Sequence, residues 1–209
     1  AIVEAFGREG AKVVGVARSR EALDALAAAL DKTHPGAFVP EVADVTSAAD
    51  ARRVTEGAIA RFGRVDILVN NAGVGHFAPV AELAEEAWDE MMAVNLKGPF
   101  LWTKAVLPHM MERRDGHIIM ISSVAGTTTF PEGAGYCASK WGLMALADTL
   151  RQEVKPYELR VTAICPGSVQ TWFGGTEPKD YSLRPEDVAQ AVLDVAAAPK
   201  RVIYGTVIM

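Results

Sequence analysis

The sequence predicts an α/β fold in which a parallel β-sheet is covered by helices on both faces. Short apolar runs of strand length alternate with longer helical patterns along the 209 residues, and this alternation is typical of parallel sheets. Half of the residues are hydrophobic and 22% are charged, which is enough apolar material for a core. The length favours one domain spanning residues 1–209.

The first half of the chain supplies three predicted strands. Ala1–Glu9 has the pattern of the last part of a helix, which Gly10 caps. The elements predicted next are a strand at Lys12–Ala17, a helix at Ser19–Leu30, a strand at Phe38–Val42, a helix from Ser47 to Phe62 and a strand at Asp66–Asn70. Pro40 places the second of these strands at a sheet edge, because proline cannot donate to a strand ladder.

The second half continues the alternation. A helical pattern runs from Glu85 to about Arg114, and we expect two pieces that meet near Asn95–Gly98. The remaining elements are predicted as a strand at Gly116–Ser122, a helix at Tyr136–Lys155 that Pro156 ends, a strand at Leu159–Cys165, a helix at Pro185–Ala197 and a strand at Arg201–Ile208.

A doubly wound sheet normally opens with a strand and a Gly-rich turn that binds pyrophosphate. The residues before Lys12 have neither pattern. We therefore expect the chain to begin inside the first βα unit, with the first strand missing.

Composition excludes several function classes. A net charge of −5 and a pI near 5.4 argue against nucleic-acid binding. No apolar stretch approaches the roughly 20 residues of a membrane span, and no signal peptide is evident. Cys137 and Cys165 have neither disulfide nor zinc spacing, and the histidines are scattered. We expect a cytoplasmic protein with reduced thiols and without a metal site.

Ser123, Tyr136 and Lys140 form the most informative pattern, Ser-x12-Tyr-x3-Lys. Residues four apart on a helix share one face, so the phenol and the ammonium are expected side by side. A free tyrosine has a pKa near 10, and an adjacent ammonium is expected to lower the pKa of Tyr136. A serine hydroxyl at a strand end beside them suits proton transfer at a carbonyl oxygen.

Several motifs occur in the order typical of one enzyme family. They are Asn70-Asn71-Ala72-Gly73, Asn95, Ser123, Tyr136-x-x-x-Lys140 and Pro166-Gly167. The chain thus resembles the short-chain dehydrogenases/reductases over essentially its whole length, and among them both the 3-oxoacyl thioester reductases and the small aldo/keto reducers. The resemblance implies a Rossmann-like doubly wound fold of three layers, with the family's Gly-rich motif expected before Ala1.

The resemblance also implies catalytic roles. The residue matching Tyr136 is the acid or base, and the one matching Lys140 also hydrogen-bonds the nicotinamide ribose. The residue matching Ser123 polarises the substrate carbonyl, although Ser122 is a rival. The residue matching Asn95 lies at a helix irregularity and holds a water that links Lys140 to solvent; an ordinary surface asparagine is the alternative.

A second set of residues is expected to bind the cofactor. The resemblance places Asn71, Ala72 and Gly73 against the adenosine half, and Asp44-Val45 at the adenine ring, although Asp44 could equally cap the following helix. It also places a segment at the nicotinamide carboxamide. This segment follows the family's sixth strand, which matches Leu159–Cys165 here, and contains Pro166, Gly167, Val169 and Thr171.

Arg18 follows the strand that usually ends in an acidic residue in NAD-binding sites. A basic residue there suits the 2′-phosphate, so NADP is favoured and NAD is possible.

Substrate contacts are expected in Val74–Val80, in Gly126–Gly135 and in a lid at Trp172–Leu183, with His76 at the mouth of the site. The family also pairs helices that match Lys97–Met111 and Trp141–Leu150, which implies a homodimer or homotetramer.

These observations predict an NAD(P)-dependent oxidoreductase that interconverts a small-molecule carbonyl and a secondary alcohol. Two alternatives stay open: a non-catalytic, nucleotide-binding relative, and an inactive fragment that lacks the phosphate-binding turn. Epimerase or dehydratase chemistry from the same Tyr/Lys pair is a more distant alternative.

Overall fold

The computed structural model describes residues 1–175, 177 and 179–209. The strands among these residues are β1 (Val13–Ala17), β2 (Phe38–Val42), β3 (Ile67–Asn70), β4 (His117–Ile121), β5 (Arg160–Cys165) and β6 (Thr206–Ile208). The helices are α1 (Ile2–Arg8), α2 (Arg20–Asp31), α3 (Ala48–Phe62), α4 (Glu85–Met92), α5 (Gly98–Arg113), α6 (Ala134–Val154) and α7 (Pro185–Ala197). Shorter helical turns lie at Ala93–Lys97 (a π-helical turn), Val124–Gly126, Lys155–Tyr157 and Phe173–Gly175.

All strand pairs are parallel, and they form two groups. β1 pairs with β2, while β3, β4, β5 and β6 form a four-stranded sheet in that order. A cavity of about 700 Å³ lies between the groups, lined by β1 on one side and β3 on the other. Among the described residues, no strand lies side by side with both β1 and β3 to join the two groups into one sheet. This agrees with the prediction that the first strand of the doubly wound sheet is missing. β2 is an edge strand, with Pro40 opposite Gly15.

The core lies on both faces of the four-stranded sheet. Side chains of successive strand residues point to opposite faces. Ile118 and Met120 pack with residues of α5 and α6. Ile119, between them, packs with Val192 and Val195 of α7. This arrangement gives the three layers that the sequence predicted.

Helix starts follow the local chemistry. Ser19 caps α2 by accepting a hydrogen bond from Ala22 N at 3.1 Å. Ser47 caps α3 by accepting one from Asp50 N at 3.2 Å. The sequence Ser47-x-x-Asp50 suits a capping box, but only half of one forms, because the Asp50 carboxylate accepts from Asp44 N and not from Ser47 N.

The long helical pattern is continuous but irregular, since α4 and α5 are joined by the π-helical turn at Ala93–Lys97. This agrees with the prediction of two pieces meeting near Asn95. The last strand is shorter than predicted: it begins at Thr206, because a turn closed by Val202 N and Pro199 O at 2.7 Å precedes it. Among the residues described, no helix combines the length and apolarity required to cross a bilayer.

His117 in β4 is a buried histidine with one partner. Its Nε2 lies 2.8 Å from Thr162 Oγ1, and its Nδ1 is buried without a hydrogen-bond partner among the described residues. Burial, aided by the Arg160 charge, lowers the pKa of His117 from 6.5 to about 3. The neutral form is therefore the one that this part of the fold accommodates.

Acid should destabilise the fold through His117. Because the folded pKa is depressed, its contribution to stability is present above pH 6.5 and is lost as the pH falls toward 3. One proton corresponds to a slope of at most about 1.4 kcal/mol per pH unit. We expect His117→Gln, which can still bond Thr162, to flatten the dependence of the free energy of unfolding on pH in urea titrations between pH 7 and 4. His34→Gln is the matched control, and identical slopes for wild type and His117→Gln would contradict this assignment.

Candidate active site

Tyr136 lies in the first turn of α6 and is 9% exposed. Its phenol lies close enough to the Ser123 hydroxyl, just beyond β4, for that hydroxyl to lower the pKa of the phenol. Ser123 is held there by two bonds: its Oγ accepts from Ala125 N at 3.2 Å and donates to Pro166 O at 3.4 Å. The ends of β4 and β5 thus place this hydroxyl against the phenol.

Lys140 lies one helical turn after Tyr136 and is 3% exposed. Its Nζ donates to Ile121 O at 2.9 Å and lies 5.7 Å from the centroid of the Tyr136 ring. An ammonium has three N–H donors. Within the described residues only one is used, so two remain for a ligand or water. A Cβ at Gly73 would lie 3.7 Å from Nζ, so the loop after β3 passes close to this amine.

Burial sets the protonation of both groups. It raises the pKa of Tyr136, and the Ser123 hydrogen bond, which acts in the opposite direction, is the smaller effect. The prediction that this pKa is lowered is therefore wrong for the structure described, because burial is the largest effect on it. Burial also lowers the pKa of Lys140 from 10.5 to about 8.

Asn95 lies in the π-helical turn and is wholly buried, so the alternative of a surface asparagine is wrong. Its Oδ1 accepts from Val74 N at 2.8 Å, while its Nδ2 donates to Val74 O at 2.8 Å and to Ser139 Oγ at 3.0 Å. Both hydrogens of the Asn95 side-chain amide are used. A water bound at this residue would therefore have to donate a hydrogen bond to its side-chain or backbone carbonyl oxygen. Asn95 ties the loop after β3 to α6.

Ser122 is turned away from the phenol into the sheet–helix interface. It is 4% exposed, its N donates to Ile164 O at 2.7 Å, and its Oγ lies 3.5 Å from Lys140 O. This agrees with the expectation that Ser123, and not Ser122, faces Tyr136.

The predicted adenosine-binding residues follow β3 at the carboxyl end of the sheet, where such folds bind nucleotides. Asn71 and Ala72 are exposed there. Gly73 directly precedes Val74, the residue that is hydrogen-bonded to Asn95. Asn70 is buried, and its Nδ2 donates to Thr103 Oγ1 at 3.3 Å, which anchors the loop.

Asp44 and Val45 lie at the same edge, beyond β2. The Asp44 carboxylate accepts from Thr46 N and Thr46 Oγ1, both at 2.8 Å, and these bonds lower its pKa. The alternative in which Asp44 caps α3 is wrong, because Ser47 occupies that position. Val45 O accepts from Trp102 Nε1 at 3.2 Å.

Arg18 directly follows β1 and is exposed. Its charge contributes to the lowered pKa of Asp44, so the two side chains are neighbours. Across the described ranges, no hydrogen bond or ion pair engages the Arg18 guanidinium, and it remains available to an anion.

The segment after β5 lies against the turn that carries Ser123. Pro166 O accepts from both Ser123 Oγ and Val124 N, and Gly167 N donates to Met209 O at 2.8 Å. Val169 forms a bridge with Leu183, and Thr171 N donates to Val169 O at 2.7 Å. Pro166 therefore contacts Ser123 directly, and the other three predicted residues follow it in the same segment. The lid predicted at 172–183 is described except for Thr176 and Pro178, which lie outside the described residues.

A second cavity of about 700 Å³ opens beside the phenol. Its lining consists of Gly73, Val74, Gly75, His76, Phe77, Glu90 and Trp172–Gly175. Phe77 and Phe173 flank the Tyr136 ring at centroid distances of 5.6 and 5.5 Å. His76 Nε2 lies 2.8 Å from Glu90 Oε2. Sequence reasoning missed Glu90, because an acidic residue on an exposed helix face gives no local sign of a partner fourteen residues away.

The residues present fit a nicotinamide dinucleotide. The two remaining N–H groups of Lys140 suit ribose hydroxyls, and the glycine at position 73 allows a ligand to approach the backbone. The free guanidinium of Arg18 suits a phosphate. The three groups lie along one edge, at the carboxyl ends of β1, β3 and β4.

Comparisons with known proteins agree with this geometry. The family model for short chain dehydrogenase matches residues 1–182. Sepiapterin reductase from Chlorobaculum tepidum is 37% identical over 198 residues, covering 93% of this chain and 81% of the relative. The 3-oxoacyl-(acyl-carrier-protein) reductase FabG of Thermotoga maritima is 35% identical over 215 residues, covering 97% of this chain and 87% of the relative.

A solved structure shows the same fold. The alcohol dehydrogenase of the archaeon Thermococcus sibiricus, complexed with 5-hydroxy-NADP, superposes with a TM-score of 0.92 at 32% identity, covering 100% of this chain and 89% of that one. The motifs, the fold and these matches together establish that the chain belongs to the short-chain dehydrogenase family.

Proposed function

We propose that this chain is an NADP-dependent oxidoreductase that interconverts a carbonyl compound and a secondary alcohol. The observation that carries the proposal is the convergence of three side chains: the Tyr136 phenol beside the Ser123 hydroxyl, with the buried Lys140 amine one turn away. The second cavity is lined by Phe77 and Phe173, the two rings that pack against Tyr136, so a small molecule bound in it would lie next to these three side chains.

NADP is favoured over NAD, which stays possible. The unpaired Arg18 guanidinium at the end of β1 suits a 2′-phosphate. The related archaeal alcohol dehydrogenase carries an NADP derivative, which supports the same choice here. When bound, the cofactor supplies the hydride that is added to the carbonyl carbon.

Tyr136 acts as the acid in the reducing direction. Its raised pKa keeps the phenol protonated at neutral pH, so it can donate a proton to the carbonyl oxygen. Ser123 orients that oxygen and stabilises the charge that develops on it. A ketone thereby gains a hydride at carbon and a proton at oxygen, and a secondary alcohol results.

Lys140 replaces the proton that Tyr136 gives up. A pKa of about 8 makes the amine able to exchange a proton near neutral pH. Asn95 holds the neighbouring loop and helix in register through its three hydrogen bonds. In the oxidising direction the same groups work in reverse.

A second candidate is a chain that has this site but binds cofactor too weakly to turn over. The cavity between β1 and β3 favours it, because the edges of two sheets face each other there without hydrogen bonds among the described residues. Titration of NADPH fluorescence with the 209-residue chain, beside a form extended by a strand and a Gly-rich turn, separates the two.

A single domain, a cytoplasmic location and a homodimer or homotetramer remain part of the proposal.

Removing the phenolic oxygen should abolish turnover without affecting cofactor affinity. Tyr136→Phe keeps the ring packed between its aromatic neighbours but cannot donate a proton, so kcat is expected to fall by about 10³-fold, within the usual range for acid catalysis. NADPH oxidation measures the rate, and fluorescence titration measures affinity. Tyr157→Phe, beyond the far end of α6, is the matched control. A Tyr136→Phe enzyme that retains more than about a tenth of the rate would remove Tyr136 from the mechanism.

Reversing the charge at Arg18 should change the choice of cofactor. Arg18→Glu places a carboxylate where the 2′-phosphate would lie, so we expect the Kd for NADPH to rise at least about tenfold while that for NADH changes little. Arg20→Glu, an equal charge change two residues further on, controls for net charge. Equal effects of both variants on NADPH would mean that Arg18 does not contact the phosphate.

A further inference from the structure

We infer that the cavity beside Tyr136 selects carbonyl compounds that carry an aromatic or similarly flat apolar group next to the carbonyl. This inference rests on the proposed function, because it concerns the substrate of the same site. It depends on the rings that surround the phenol, on the contacts that fix those rings, and on where the polar groups of the cavity lie.

Aromatic rings form the walls next to the phenol. Phe77 meets the Tyr136 ring edge-to-face, with an interplanar angle of 79°, and Phe173 lies at 57° to it. Phe130 extends the wall, with its centroid 5.8 Å from that of Phe77. Met91 and Val74 pack in the same cluster. A substrate whose carbonyl oxygen reaches Tyr136 must therefore place its neighbouring group among apolar surfaces.

The two segments that carry Phe77 and Phe173 pack against each other, and in each segment a glycine makes room for the phenylalanine ring of the other. The Phe173 ring lies over Gly75, where a Cβ would approach it to 2.6 Å. The Phe77 ring lies over Gly174, where a Cβ would approach it to 2.4 Å. Each segment thus supplies a phenylalanine that covers a glycine of the other. This reciprocal packing, which we call the Phe77–Phe173 clasp, fixes two ring planes beside the phenol and favours a flat group between or against them.

The charged groups of the cavity are at its mouth and already paired. The His76 and Glu90 side chains are 43% and 41% exposed and lie 2.8 Å apart. They are the charged or ionisable side chains among the described residues that line the cavity. A polyol or carboxylate next to the carbonyl would lose water where it meets the rings, and a carboxylate would also approach Glu90.

The test compares an aryl ketone with a hydroxylated one, and reads the change that each variant causes relative to wild type for the same substrate. Acetophenone and dihydroxyacetone are assayed with the full chain, first for binding by saturation-transfer NMR and then for NADPH-dependent reduction. The clasp is changed in steps, with Phe77→Leu retaining apolar volume and Phe77→Ala removing it. Tyr157→Ala is the control, because it lies at the far end of α6, about 30 Å along the helix from Tyr136.

We expect acetophenone to be preferred by at least about tenfold in both Kd and kcat/KM. Phe77→Ala should weaken acetophenone binding about tenfold, Phe77→Leu about threefold, and Tyr157→Ala not at all. The ratio of kcat/KM for acetophenone to that for dihydroxyacetone should fall in the order wild type, Phe77→Leu, Phe77→Ala, and Tyr157→Ala should leave the ratio unchanged.

The outcomes separate this inference from the proposed function. Dihydroxyacetone reduced as well as acetophenone, with no effect of Phe77→Ala, would overturn the aromatic preference and leave the oxidoreductase intact. Acetophenone binding that depends on Phe77, without reduction under any condition, would support the aromatic cavity and contradict the proposed reaction.

Discussion

The burial of the Lys140 amine is the constraint on which the rest of the site depends. An ammonium at 3% exposure is unfavourable unless polar groups compensate it, and here Ile121 O at the end of β4 accepts one of its hydrogens. This contact joins α6 to the sheet at the level of the phenol. It also explains the pKa of about 8, because a group that is costly to charge gives up its proton more readily.

Other hydrogen bonds hold this arrangement from two further sides. Asn95 connects the loop after β3 to Ser139 on α6, and Pro166 O connects the segment after β5 to Ser123. The carboxyl ends of three adjacent parallel strands thereby converge on one helical turn. In a doubly wound sheet this is the edge at which nucleotides bind, so the proposed cofactor site and the proposed acid–base groups lie together.

Local pattern was enough to predict most of the elements and the side-by-side placement of Tyr136 and Lys140 on one helix. The period of the apolar residues defined strands and helices to within a few residues, and the spacing of Tyr136 and Lys140 required a shared helix face. Even the irregularity near Asn95 was predictable, because asparagine is unfavourable inside a regular helix and the structure has a π-helical turn there.

What sequence could not give depends on contacts between distant segments. The Phe77–Phe173 clasp joins loops almost a hundred residues apart in the chain, and the His76–Glu90 pair joins a loop to a helix face. The direction of the Tyr136 pKa shift was predicted wrongly for the same reason: spacing reveals the neighbouring amine but not the depth of burial, and burial is the larger effect.

The burial of Lys140 can be measured directly. With lysine labelled at Cε, the ¹³C signal of Lys140 can be assigned by its loss in Lys140→Met and followed as a function of pH. The structure predicts a midpoint near pH 8, well below the value of 10.5 for an exposed lysine. A midpoint at the exposed value would contradict the buried amine and, with it, the proton relay to Tyr136.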